Sequence, residues 1–322
     1  MSLRILFKIV LVFMVMIGPA CSQSPAISAK KDVAMLLNLV KISLKQQYFD
    51  QVMASKLTDQ LTAMENQKKF EHVSAEKAAQ MITDFLRSET HDKHFNISAY
   101  TSESITQAVS KSPQLSAAGI SDYHIEKNNI GYIKWNSCIA GEAAFQEFRK
   151  VLDKLAGCSS LIFDLSENAG GDGASSAFVN QFLYRDKSYQ TLLRKRCKGE
   201  KDWHQSEVIF NYTEGPTFFD KPIYIIASKQ TFSAAEYFIL TAKEMKRATI
   251  LGDTTAGAGN PGNSQGIRSP DTDTIFWLFI PNCEIITRNG HSIEGSGVKP
   301  DVVLRGKNWL KQTLDYVAKV AR

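Results

Sequence analysis

The stretch "TFSAAEYFILTAKEMKRATILGDTTAGAG", residues 231–259, sets a serine at the mouth of an apolar helix and closes on a glycine-rich turn. Ser233 and Glu236 have the spacing of a capping box, in which a serine caps a helix and a glutamate three residues on reaches back to it. The same placement suits a nucleophile. Negative charge is favoured at a helix N-terminus, and the next backbone N–H, that of Ala234, can face an oxyanion. A serine becomes a nucleophile only beside a base. The candidates are His72, His91, His94, His124, His204 and His291, and "HDKHF" holds two of them. His91 and His94 also have the spacing of a metal pair, but no further ligands cluster near them in the sequence, so no metal and no other cofactor is expected. In "DLSENAGGDG", Gly170 and Gly171 let backbone N–H groups point freely into a site, where two donors can hold an oxyanion. Without a site to serve, they make a plain strand-to-helix turn. The stretch lacks the G-x-x-x-x-G-K-[ST] pattern of a phosphate loop. In "HSIEGSGVKPDVVL", Glu294 precedes a glycine turn, and spacing alone leaves it a solvated loop residue.

Residues 32–100 carry apolar side chains at three- and four-residue spacing in "VAMLLNLVKISLKQQYF" and "AEKAAQMITDFLRSE", which predicts a small N-terminal helical domain. Residues 21–31 are small and polar and read as a linker, and 101–130 as a connecting segment. From Gly131 the pattern changes. "GYIKW", "SSLIFDL", "PIYIIAS" and "ATILG" are strand-like and alternate with "GEAAFQEFRKVLDKLAG", "ASSAFVNQFLY" and the Ser233 helix. The continuous apolar run "SSLIFDL" is of the kind buried on both faces of a parallel sheet. Strands alternating with helices predict an α/β core over 131–306, and "NWLKQTLDYVAKVA" a last helix within 307–322.

The chain has 322 residues, 43% hydrophobic and 22% charged, with a formal charge of +5. That charge is too mild to suggest nucleic acid, and no nucleic-acid-binding signature is present. Residues 1–20 pair Arg4 and Lys8 with an apolar run from Ile9 to Ile17, too short to span a membrane, and end in Gly18-Pro19-Ala20. This is a secretory signal pattern. Cys21 directly after it is a candidate for lipidation, giving either a periplasmic or outer-membrane lipoprotein or a secreted chain. The other cysteines, Cys138, Cys158, Cys197 and Cys283, allow up to two disulfides or buried free thiols, and none forms a C-x-x-C pair.

The order "DKH", "LIFDLSENAGG", "SAAE", "GDTTAGAG", "IEGSGVKPD" resembles the C-terminal-processing (tail-specific) peptidase family over about residues 30–305. The helical N-terminal segment and "DKH" are similar to the branch that holds the tricorn core protease and interphotoreceptor retinoid-binding protein. The resemblance implies a ClpP/crotonase-like α/β core, polypeptide substrates, and hydrolysis without a cofactor. Many members use a Ser-Lys dyad with the lysine in G-E-x-T-x-G-K-G. Here that lysine position is Ala258, which cannot take a proton. The tricorn-like branch uses Ser, His and Glu, which implies Ser233 as nucleophile, His94 as base and Glu294 as orienting carboxylate. Gly170 or Gly171, with Ala234, would form the oxyanion hole. The family's arginine before the asparagine of N-x-G-G is replaced by Ser166-Glu167, and the segment between Ser98 and Gly131 is too short for a PDZ domain. Two rivals share the fold: a non-catalytic binder of peptide or apolar ligand, and a thioester enzyme of crotonase type. A histidine base near its ordinary value of about 6.5 predicts activity that rises through pH 6–7.

Overall fold

The computed structural model describes residues 25–111, 115–206, 210 and 214–320. The candidate signal segment and Cys21 lie outside them. In chain order the elements are α1 (Pro25–Gln47), α2 (Gln51–Asn66), α3 (Ala75–Thr90), β1 (Asn96–Tyr100), α4 (Ser102–Lys111), β2 (Ile120–Glu126), β3 (Ile130–Trp135), α5 (Glu142–Lys154), β4 (Ser160–Asp164) and α6 (Gly173–Leu183). There follow β5 (Leu193–Cys197), β6 (His204–Gln205), β7 (Ile223–Ala227), α7 (Ala234–Glu244), β8 (Thr249–Gly252), β9 (Gly262–Arg268), β10 (Ile275–Pro281), β11 (Cys283–Thr287), β12 (Val302–Val303) and α8 (Trp309–Val320).

The central sheet runs β12-β8-β7-β4-β3-β2. Its strands are parallel except β2, which pairs antiparallel with β3 at the edge. The two-residue period of the strands sorts their side chains. Ile133, Trp135, Leu161, Phe163, Ile223, Ile225 and Ile250 share one buried cluster with residues of α5, α6 and α7. Tyr132, Ile162, Tyr224, Ile226 and Leu251 face the other way and pack with Val317 and Leu314 of α8. Both faces of β4 and β7 are therefore covered, which is why these segments read as unbroken apolar runs.

The N-terminal helices do not close a core by themselves. The apolar stripes of α1, α2 and α3 meet Ile97 and Ala99 of β1 and Phe276, Leu278 and Ile280 of β10. The sheet that carries them has the order β1-β10-β9, so strands from the far end of the chain complete the helical unit. This revises three expected boundaries. Residues 25–31, expected in a linker, are helical and belong to α1. The connecting segment 101–130 contains α4 and the edge strand β2. Within residues 131–306, expected to form one α/β core, β10 lies outside the central sheet and packs with the helical unit. A third sheet, β11-β5-β6, carries the disulfide Cys197–Cys283, while Cys138 and Cys158 are buried free thiols.

Candidate active site

Ser233 follows β7 and directly precedes α7. Its backbone is held at φ 53°, ψ −121°, a region that L residues seldom occupy and that stores strain of about 1–3 kcal/mol. What holds it there is the fully buried Glu236, whose carboxylate accepts the Ser233 backbone N–H at 3.0 Å. The glutamate of the expected capping box thus performs its part. The serine hydroxyl points elsewhere: its Oγ lies 2.9 Å from His94 Nε2.

His94 comes from the loop between α3 and β1 and is 93% buried, with 7% of its surface exposed. Its ring is flanked edge-on by Phe232 at 4.8 Å and stacked by Phe279 at 5.6 Å. Asp92, two residues earlier, accepts the His94 backbone N–H at 2.9 Å through Oδ1, and the same oxygen lies 3.8 Å from Nδ1. Glu294, from the turn after β11, accepts the backbone N–H groups of Gly259 and Asn260 through Oε2 at 2.6 and 3.0 Å. Its other oxygen, Oε1, and His94 Nδ1 are both buried without a hydrogen-bond partner among the described residues. One donor atom from each of Asp92, His94 and Glu294 lies within 4.8 Å of the other two. Such a set can share a proton, and its donor types would also suit a divalent ion. Asn260 ties the two acids together, since its backbone N–H serves Glu294 and its Nδ2 donates to Asp92 Oδ2 at 2.9 Å.

The electrostatics differ from those of a solvated histidine. Burial, with the positive charge of Arg87 second, pushes the imidazole down to about 4, so the ring is neutral and able to accept a proton at pH 7. Burial, reinforced by the like charge of Asp92, raises Glu294 to about 7. Asp92 is raised as well, chiefly by burial. Burial thus holds His94 well below the value of about 6.5 expected from its ordinary chemistry, while Glu294 is the group raised towards neutrality.

The loop after β4 reaches the same point, its Ala169 and Gly171 lining one cleft with His94 and Ser233. The fully buried Asn168 donates its Nδ2 to Trp135 O at 2.9 Å and accepts the Gly170 N–H at 2.8 Å. Gly170 and Gly171 have φ values of 86° and 136°, where a side chain is strained. A Cβ on Gly170 would lie 2.9 Å from Ser233 Cβ, and one on Gly171 2.2 Å from Cys138 O. With the Gly170 N–H engaged, Gly171 and Ala234 are left with backbone N–H groups that donate to no group among the described residues. The loop is supported without the family's arginine. Lys134 pairs with Glu167 at 2.6 Å, the Ser166 hydroxyl donates to Asp164 at 2.6 Å, and the Phe232 N–H donates to Asn168 O at 3.0 Å.

Four donors converge on Glu236: Thr255 Oγ1, Gly257 N, Ala258 N and Ser233 N. The turn "GDTTAGAG" is thereby folded onto the start of α7, and Ala258 sits in it fully buried. Sequence reasoning assigned no role beyond capping to Glu236, and none to Asp92, Asn168 or Asn260. The available signals were the "DKH" and N-x-G-G motifs and a glycine-rich turn whose N–H groups need an acceptor. His91, the other half of the candidate metal pair, is an exposed left-handed cap on α3 with φ 60°.

Residues 129–304 match the model of peptidase family S41. The carboxy-terminal processing protease CtpA of Bacillus subtilis (strain 168) is 27% identical over 180 residues, 55% of this chain and 35% of that protein. The chain thus spans about a third of that relative's length. Among solved structures, mature CPAF complexed with lactacystin has a TM-score of 0.60 at 14% identity, over 92% of this chain and 98% of the other. The tricorn protease has a TM-score of 0.58 at 14% identity, over 90% of this chain and 37% of the other. At such identities the structural likeness concerns the fold.

Proposed function

The chain belongs to peptidase family S41, and from that premise we propose that it is a serine peptidase acting through Ser233, His94 and Glu294. The observation that carries this reading is the 2.9 Å approach of His94 Nε2 to the hydroxyl of a serine held at φ 53° at a helix start. Ser233 Oγ attacks the peptide carbonyl carbon while His94 Nε2 takes the hydroxyl proton. The carbonyl oxygen, now an oxyanion, is met by the N–H groups of Gly171 and Ala234, near the positive end of α7. His94 then gives its proton to the leaving nitrogen, the C–N bond breaks, and the acyl group stays on Ser233. Water, deprotonated by the same imidazole, hydrolyses the ester and restores the serine. Glu294, whose Oε1 has no partner among the described residues, orients the ring and offsets the imidazolium charge. Ala258 in the lysine position leaves His94 as the group at hand for the proton. Incubation with unfolded casein tests this reading. Fragments are expected from the wild type and none from Ser233→Ala, and intact casein with the wild type would oppose it.

We further propose that the chain is exported, anchored through a lipid on Cys21. The disulfide between Cys197 and Cys283 supports an oxidising compartment. In cell fractionation, the wild type is expected with membranes and Cys21→Ser in the soluble exported fraction. A wild type already soluble would remove the anchor.

A further inference from the structure

Two carboxylates meet the Nδ1 edge of the His94 ring. Nε2 lies 2.9 Å from the Ser233 hydroxyl, while Nδ1 lies 3.8 Å from Asp92 Oδ1. One donor atom from each of Asp92, His94 and Glu294 falls within 4.8 Å of the other two. His94 and Asp92 are only 7% and 1% exposed, and neither His94 Nδ1 nor Glu294 Oε1 has a hydrogen-bond partner among the described residues. Among those residues no lysine or arginine is within ion-pair distance of Asp92 or Glu294. Burial first, and the negative charge of both acids after it, raises the phenols of Tyr48 and Tyr237. Two buried acids beside an unpartnered nitrogen call for positive charge. A shared proton supplies one unit of it, and a divalent cation supplies two.

The donor set is one imidazole nitrogen and two carboxylate oxygens, which suits a late first-row ion better than Mg²⁺ or Ca²⁺. Zn²⁺ holds such atoms at about 2.0–2.2 Å in a tetrahedron, which sets them about 3.4 Å apart. The 3.8 Å pair is close to that spacing, and separations under 4.8 Å reach it by closing at most about 1.4 Å. Outer contacts already orient the ligands. Asp92 is held by the His94 N–H and by Asn260 Nδ2, and Glu294 by the N–H groups of Gly259 and Asn260 on Oε2, which leaves Oε1 over. His94 lines the 320 Å³ cleft at Ser233, so an ion can enter past its ring.

Resting on the peptidase reading, we propose that Asp92, His94 and Glu294 form a Zn²⁺ site that switches the peptidase off. Metal on Nδ1 takes that nitrogen's lone pair, and the neutral ring then carries its proton on Nε2. Nε2–H can donate to Ser233 Oγ but cannot take its proton, so the serine loses its base while the fold stays intact. Coordination also takes up the Glu294 carboxylate that would offset the imidazolium. No bond to the serine forms, and removing the ion restores the tautomer with its proton on Nδ1.

The test titrates ZnCl₂ into the full chain, with MgCl₂ and CaCl₂ as controls. Binding is read on Ser233→Ala by calorimetry, and by the visible spectrum of CoCl₂ in the same site, so it needs no catalysis. One equivalent is expected, with the intense bands of four-coordinate cobalt. Turnover is read with a fluorogenic peptide free of His, Cys, Asp and Glu. In the wild type, free Zn²⁺ at ten times the measured Kd should cut turnover about tenfold, since about a tenth of the protein stays unligated. EDTA should restore the rate, and Mg²⁺ and Ca²⁺ should leave it unchanged. Asp92→Asn should weaken binding at least about tenfold and shift the inhibition curve by the same factor. Ser233→Ala/Glu294→Gln, which reads binding alone, should lose affinity for zinc and cobalt alike and serves if Asp92→Asn does not fold. His124, with ring nitrogens 3.1 Å from Asp122 and Glu126 on the edge strand β2, is the competing surface site. His124→Gln should keep both binding and inhibition. Zinc that leaves turnover unchanged, inhibition that survives in folded Asp92→Asn, or inhibition lost in His124→Gln would overturn the inference and leave the peptidase reading standing. Zinc bound through Asp92 and Glu294 by a protein that neither cleaves nor reacts with a serine reagent keeps the metal site and sinks the peptidase reading.

Discussion

Ser233→Ala lowers turnover of a peptide substrate by at least about 10³-fold, and adding His94→Ala to it lowers turnover no further. Groups that act as a unit fail together, and what survives comes from the oxyanion site and binding. The fold should barely notice the first change. The capping contact at this helix start runs from the Ser233 backbone N–H to Glu236, and alanine keeps that N–H. A serine serving as a cap would instead lose about 1 kcal/mol on going to alanine. Ser233→Gly separates strain from chemistry. At φ 53° glycine relieves the backbone, so the melting temperature should rise while activity is lost. Kinetics on the two single variants and the double, with thermal melts of each, check the whole pattern. Additive losses for Ser233 and His94 would mean that they do not form one device.

Glu294→Gln lowers turnover by about 10³-fold and also removes a limb of the pH profile. Gln can still accept the N–H groups of Gly259 and Asn260. Its amide would meet His94 Nδ1 as a donor, which selects the tautomer that cannot receive the serine proton. In the wild type, burial and Asp92 raise Glu294 to about 7. As pH falls through that value the carboxylate takes a proton and no longer offsets the imidazolium, so kcat should fall below about pH 7. His94, held neutral by burial down to about 4, does not set that limb. In Glu294→Gln, kcat should be low and flat from about pH 5 to 8. Stability moves the opposite way. A carboxyl raised in the folded state binds more protons there than in the unfolded chain between about pH 4.5 and 7, so its contribution declines as pH rises through that window. Glu294→Gln should therefore melt higher than the wild type at pH 8. A limb that persists unchanged in the variant would assign it to another group.

The parallel core was legible because β4 and β7 are covered on both faces, and their sequences carry that as unbroken apolar runs. Ser233 was legible as a helix start, and only the order of distant motifs favoured a nucleophile over a cap. The local sequence is the same for both, and the difference lies in where the hydroxyl points. Strands β5, β6 and β9 escaped the sequence because they carry few buried apolar side chains, and alternation is faint in "GNSQGIR", whose residues are exposed or half-buried. Asp92 escaped because its partners, Asn260 and Glu294, lie some 170 to 200 residues further along the chain. Glu236 was hidden by its own capping pattern. That pattern explained the Ser233 N–H and left the three donors from "GDTTAGAG" without an acceptor.

The most direct measurement is the reaction of the purified protein with a fluorophosphonate, followed by peptide mapping of the adduct. The account predicts a single stoichiometric adduct on Ser233, formed far more slowly in His94→Ala and absent from Ser233→Ala. A wild-type protein that stays unlabelled while folded, or an adduct on another serine, would contradict it.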